Sequence, residues 1–180
     1  SLLGINMQAD VTEALGVKVI VENDMNFVAY GYYCENNQIN HSLVAIDFPV
    51  SDPVGAGIVI GGKIYNGYSR FAGELSYALA ESGVDRAQQP ASLLEKSVFL
   101  NLVAKSILMV TCVLNPNCIV LTCECIAEQD LKEVLTYCEQ FVGPYHIPNV
   151  VLRHDFYQLC INGIARATLN SVQYQFQLNV

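Results

Sequence analysis

Positive charge is scarce in this sequence: nine lysines and arginines stand against seventeen aspartates and glutamates in 180 residues, a formal net charge of -8. No stretch gathers the basic residues into a phosphate-binding stripe, so nucleic-acid binding by this segment itself is excluded. A secretory pattern is missing from the N-terminal residues. The longest apolar run, Val98 to Leu114, is interrupted by Asn101, Lys105 and Ser106, which reads as a buried helix rather than a membrane span. A soluble, cytoplasmic protein without membrane contact is the expectation. There is no disulfide framework: the seven cysteines are odd in number and scattered through apolar runs, so reduced core thiols are expected. Cys118, Cys123 and Cys125 form the tightest group but have no second Cys or His pair at a partnering distance, and His41, His146 and His154 stand alone. Neither a metal nor any other cofactor is expected. The Asn40-His41-Ser42 sequon carries no meaning in that compartment. Repeats and low-complexity stretches are also missing.

What the chain does have is enough apolar material, 52% of its residues, for one cored domain. Leu3, Met7, Val11 and Leu15 make one helical stripe, stopped by Gly16. Val17 to Val21 reads as a short strand delivering Glu22-Asn23-Asp24 to its end, before a helix through Phe27 to Tyr33. Leu43 to Phe48, Gly55 to Ile60 and Lys63 to Tyr65 read as an antiparallel meander turned at Gly61-Gly62. The pattern loosens from Ser82 to Pro90. A long helix from about Ser92 to Val113 follows, ending at Asn115-Pro116. Then come a strand at Ile119 to Leu121, a helix over Glu128 to Phe141, a strand at Val150 to Leu152 and a last helix from Phe156 to about Val172. This order predicts an α/β fold, with helices packed on a mixed sheet. The first helix and strand precede the meander without a partner lobe, so the chain reads as the second half of a larger protein.

Three ordered segments resemble one family. VENDMNFVAYG at Val21 to Gly31 is similar to the strand, Glu-Asn-Asp and helix segment of ROK proteins (repressors, open reading frames and sugar kinases). GAGIVIGGKIYNGYSRFAGELSY at Gly55 to Tyr77 resembles the family's glycine-rich strand, Gly-Lys turn and closing Gly-Glu-Ile-Gly-His. Leu114 to Leu121, LNPNCIVL, resembles its Leu-Asn-Pro lead into a strand. The resemblance implies an actin-like ATPase (ribonuclease H-like) fold, with residues 1–180 as a single C-terminal lobe plus a flanking helix. The first lobe and any helix-turn-helix would lie outside this chain. It also implies that Asp24 matches the kinases' general base, and that Asn23 and Glu74 match hydrogen-bonding partners of sugar hydroxyls. Carboxylates and amides suit a ring of vicinal hydroxyls. Read without the resemblance, Asn23 and Asp24 are equally a helix cap and Glu74 a solvated turn residue.

The pattern breaks where kinases bind phosphate. Their Gly-Thr-Gly loop is replaced by Asp47-Phe48-Pro49-Val50-Ser51-Asp52-Pro53-Val54, in which two prolines remove N–H donors and aspartates add negative charge. The family's later Gly-Gly turn is replaced by Thr122-Cys123-Glu124, and the zinc-binding His of Gly-Glu-Ile-Gly-His by Tyr77, with no cysteine between Cys34 and Cys112. The leading expectation is therefore a non-catalytic domain of a ROK-type transcriptional regulator that senses a sugar or sugar derivative. It would form a homodimer and reach DNA only through a domain outside this chain. The alternatives are a divergent sugar kinase using Asp24 as base and a ligand-free structural or dimerising lobe.

Overall fold

The computed structural model describes residues 6–36, 42–81 and 83–176. Leu3, Asn40 and His41 lie outside the described residues. Five strands, β1 (Leu43–Asp47), β2 (Gly55–Ile60), β3 (Lys63–Ile64), β4 (Cys118–Thr122) and β5 (Asn149–Arg153), form one sheet in the order β3-β2-β1-β4-β5. β1–β2 and β2–β3 are antiparallel, whereas β1–β4 and β4–β5 are parallel. The tight β2–β3 turn uses Gly61 and Gly62 at φ 56° and 77°, the left-handed pair that a two-residue hairpin demands. The parallel pairings need helical crossovers. Between β1–β2–β3 and β4 run α3 (Leu75–Ala80) and α4 (Lys96–Leu114), and between β4 and β5 runs α5 (Glu128–Val142).

Strand alternation divides the core into two layers. Val44, Ile46, Ile58, Ile119 and Leu121 point to one face, where they meet Phe99, Leu102, Val103 and Ile107 of α4 and Leu131 and Val134 of α5. Leu43, Ala45, Val59 and Val120 point to the other, against Met25, Val28, Ala29 and Tyr32 of α2 (Asp24–Glu35) and Leu159 of α6 (Phe156–Phe176). Both faces are covered, which explains why the central strands read as nearly continuous apolar runs. The buried face of α4 also accounts for its apolar length: it is a core helix, as its interrupted hydrophobicity predicts. It ends at Asn115, which takes the left-handed cap at φ 44° ahead of Pro116.

α2 and α6 are the most intimate helix pair, and two glycines permit it. A methyl group on Gly31 would run into the Leu159 carbonyl, and one on Gly163 into the Phe27 carbonyl. Each helix thus gives up a side chain to admit the backbone of the other.

Two expectations are corrected. Val17 to Val21 joins no strand: Val19 N–H donates to Thr12 Oγ1 at 3.2 Å and Val21 N–H to Gln8 Oε1 at 3.3 Å. Side chains of α1 (Met7–Leu15) thus take up donors that a sheet ladder would otherwise use. The stripe at Met7, Val11 and Leu15 lies on a helix that stops at the left-handed Gly16, as expected, although no residue of that helix is buried and Leu15 is 64% exposed. The loosened region, of which Ser82 lies outside the described residues, follows α3 and holds a 3-10 turn at Arg86–Gln88, pinned by the buried Gln89, whose Nε2 donates to the Ser76 carbonyl at 2.8 Å. The seven cysteines are free thiols, but Cys112 and Cys125 are exposed rather than in the core.

Gly163→Ala is expected to lower stability by about 1–3 kcal/mol, because overpacking against Phe27 outweighs the ~1 kcal/mol that alanine gains in helix propensity. Urea denaturation measures it, and a stabilised variant would show that the helices separate at little cost.

Candidate functional site

The strand β2 moors both halves of a cleft. Gly57 has no side chain, and a methyl there would strike the Met25 carbonyl, so the first turn of α2 lies directly on the strand. Asn26, 4% exposed in that turn, accepts from Ile58 N–H through Oδ1 at 3.3 Å. On the same strand Ala56 N–H donates to the Gly73 carbonyl at 2.9 Å, and Gly73, at φ 95°, leaves no room for a side chain against Ala56. Asn23 and Asp24 are thereby fixed from one side and Glu74 from the other. All three line one cleft of about 1160 Å³ beyond the carboxyl ends of β1, β4 and β5, where open α/β sheets gather ligands.

Asn23 is the N-cap of α2: its Oδ1 accepts from Met25 N–H at 2.9 Å. Asp24 is the first helical residue, and its Oδ1 also accepts from Met25 N–H, at 2.8 Å. The capping reading thus holds for Asn23, yet both side chains remain exposed and face the cleft. Glu74 precedes α3 without making a side-chain cap, half-buried in the cleft wall.

A polar cluster that sequence reasoning missed lies behind them. Glu22 Oε1 accepts from Asn23 N–H at 2.9 Å and from Asn26 Nδ2 at 3.1 Å, while Oε2 accepts from Asn66 Nδ2 at 2.7 Å. Asn26 Nδ2 also donates to Asn66 Oδ1 at 2.7 Å. Arg70 Nη2 reaches both Glu22 oxygens and the Val21 carbonyl, each at 3.3 Å. Burial works to raise the Glu22 carboxyl, but the hydrogen bonds from Asn23, Asn66 and Asn26 and the charge of Arg70 outweigh it and hold the group below its ordinary range. The Glu22–Asn26 spacing of four residues is legible on a helix; Asn66, 44 residues from Glu22, carries no sequence signal.

The segment after β1 does not resemble a phosphate cradle. Phe48 and Val54 are each 2% exposed, and the Phe48 ring meets Phe99 edge-on at 5.8 Å. Phe48 N–H is taken by the Thr122 carbonyl, Pro49 and Pro53 have no N–H, and the Pro49 carbonyl accepts from Ala91 N–H. Asp47, at the end of β1, accepts from Thr122 Oγ1 at 2.7 Å. Burial pushes its carboxyl up to about 6, opposed by the Thr122 hydrogen bond and assisted by the charges of Asp24 and Asp52. Cys123, in the position of the second glycine turn, is buried, which pushes its thiol up to about 12. Tyr77 is half-exposed, with Phe71 beside its ring at 5.2 Å and the Arg86 guanidinium 4.2 Å above it. Among the described residues no group of three or more His, Cys, Asp or Glu side chains is placed to hold a metal ion.

These features define an α/β lobe of the actin-like ATPase fold with a cleft at the strand ends. Residues 3–90 match the model of the ROK family. The xylose repressor of Bacillus subtilis is 32% identical over 73 residues, a match covering 41% of this chain and 19% of the repressor. The chain thus spans about a fifth of that relative's length. Among solved structures, the Lmo2764 protein of Listeria monocytogenes superposes with a TM-score of 0.67 at 13% identity, covering 93% of this chain and 71% of that one. The ROK hexokinase of Thermus thermophilus gives 0.63 at 17% identity, covering 87% and 67%. The structural matches establish the fold, and the family contains both kinases and regulators.

Because the folded chain holds the Asp47 proton more tightly than the unfolded chain does, its stabilising contribution is full below about 3.8. It is lost as the pH rises through about 6. Asp47→Asn keeps an acceptor for Thr122 and is expected to stabilise the protein at pH 7 by up to about 3 kcal/mol, with little gain at pH 3.5. Paired urea midpoints at the two pH values test it, and equal effects at both would refute the shift.

Proposed function

We propose that this chain is the C-terminal, ligand-binding lobe of a ROK-type regulator, sensing a sugar or sugar derivative without phosphorylating it. The observation that carries the reading is one cleft holding Asn23, Asp24 and Glu74, beside a loop that buries Phe48 in the core and places the Asp47 carboxyl where the kinases bind phosphate. Binding needs a pocket with acceptors and donors suited to hydroxyls. Phosphoryl transfer also needs a nucleotide and a metal held in line with a base. In this reading Asp24 accepts a hydroxyl hydrogen bond rather than a proton, Asn23 and Glu74 complete the ring of contacts, and the protein works as a homodimer. DNA is contacted by a domain outside this chain, as the acidic balance of the chain favours.

The kinase alternative keeps Asp24 as general base and finds its motive in the kinase neighbours of the fold. Calorimetry on the intact protein with xylose, glucose and N-acetylmannosamine, each with and without a phosphate group, separates the two. Heat is expected from at least one unphosphorylated sugar, with affinity falling about tenfold, the scale of one lost hydrogen bond, in Asp24→Asn or Glu74→Gln. Sugar-dependent ATP turnover is expected to be absent. Turnover that disappears in Asp24→Asn would establish the kinase, and no heat from any sugar would leave a structural lobe.

A further inference from the structure

Glu22 is the first residue of the Glu-Asn-Asp segment, yet its carboxylate has no capacity left for a ligand. Its two oxygens accept from Asn23 N–H, Asn26 and Asn66, with Arg70 shared between them, which fills the roughly four acceptor positions that a carboxylate offers. The donors come from two separate pieces of chain. Asn23 and Asn26 belong to the start of α2, which carries Asp24. Asn66 and Arg70 belong to the loop after β3, which ends at Glu74.

β2 holds the two ends of that loop, Tyr65 N–H donating to the Ile58 carbonyl at 2.8 Å and the Gly73 carbonyl accepting from Ala56 N–H, but the stretch from Asn66 to Ala72 between them is short of other support. It closes on itself through Ala72 N–H and the Asn66 carbonyl at 3.3 Å, and its exposed aromatic rings, Tyr68 and Phe71, bury little surface. Arg70 sits at φ 61°, a left-handed conformation that is unfavourable for a non-glycine residue and persists only where contacts impose it. The contacts here are those to Glu22 and to the Val21 carbonyl.

We infer that Asn66 and Arg70 are positioning residues that act through Glu22, clasping the loop that carries Glu74 to the helix start that carries Asn23 and Asp24, so that the two walls of the cleft hold one spacing. The consequence for a bound sugar rests on the ligand reading above; the clasp itself does not. The clasp makes Glu74's contribution conditional: with the loop released, its carboxylate no longer meets the hydroxyl that Asn23 and Asp24 place.

The test uses the intact protein with Asn66→Ala and Arg70→Ala. The second is a safeguard, since the Arg70 side chain is 61% exposed and its loss leaves the core untouched. Without sugar, amide exchange is expected to accelerate about tenfold or more at Asn26 and Phe27 and, in the same variants, at Ala72 and Glu74, while the α4 core amides keep their protection. With whichever of xylose, glucose or N-acetylmannosamine binds, Glu74→Gln is expected to cost about tenfold in the parent and less than about twofold in the Asn66→Ala background, the non-additivity of coupled sites. A general loss of stability would leave the Glu74→Gln penalty intact. Exchange unchanged on either side of the clasp, or an undiminished Glu74→Gln penalty, overturns the inference. If the parent binds none of the sugars, the sensing function falls and the exchange data alone decide the clasp.

Discussion

The contact on which this structure depends is the seating of the first turn of α2 on β2 at Gly57. A helix packed on a sheet through ordinary side chains stands about 10 Å away from it. Here the missing side chain lets the Met25 carbonyl rest on the strand and brings Asn26 within reach of Ile58 N–H. The polar N-terminus of the helix is thereby set level with the strand ends, and the same strand holds Gly73 through Ala56. On the far side of α2 the Gly31–Leu159 and Gly163–Phe27 approaches fix the helix against α6. One helix is thus gripped on two faces by backbone contacts, which are stiffer than side-chain contacts because no rotamer can relax them.

Electrostatics then give the cleft its character. The charged groups behind the walls are paired: Glu22 with Arg70, and Arg153 with Asp155 and Glu35. Arg86 lies on the Tyr77 ring and donates from Nε to Ser76 Oγ at 2.9 Å. Asp24, Asp52 and Asp47 are close enough that the first two raise the third. In the proposed reading the aspartates at the strand ends disfavour anionic groups there and offer acceptors to hydroxyls. In that reading the site recognises its ligand by hydrogen bonding, without phosphoryl transfer, on the scaffold it shares with kinases.

Much of the fold was legible in the sequence, for identifiable reasons. β2 and its turn announce themselves through glycines that only a tight hairpin needs, and α4 through an apolar run ended by Asn115-Pro116. Periodicity names a face but not its partner: the stripe gives α1 and its Gly16 stop, but not that the helix has no buried residue. Likewise β-branched residues at Val17 to Val21 promise a strand only where a neighbouring ladder exists. For the candidate site, Asn23, Asp24 and Glu74 were legible through motif resemblance, and the consequences of Asp47 through its place in a loop that ought to be glycine-rich. Asn66 and Arg70 were hidden because they meet Glu22 through the tertiary path of β2 and β3, which no local spacing encodes.

The burial of Phe48 limits what this loop can become. Its ring is a core component, packed against Phe99 between the sheet and α4, and removing such a ring costs roughly 3–5 kcal/mol. A chain that regained glycine at this position would lose a large fraction of a typical domain's stability before any phosphate contact returned. An anion-binding turn at this place would therefore require compensating changes in α4 as well, beyond the reach of a single mutation.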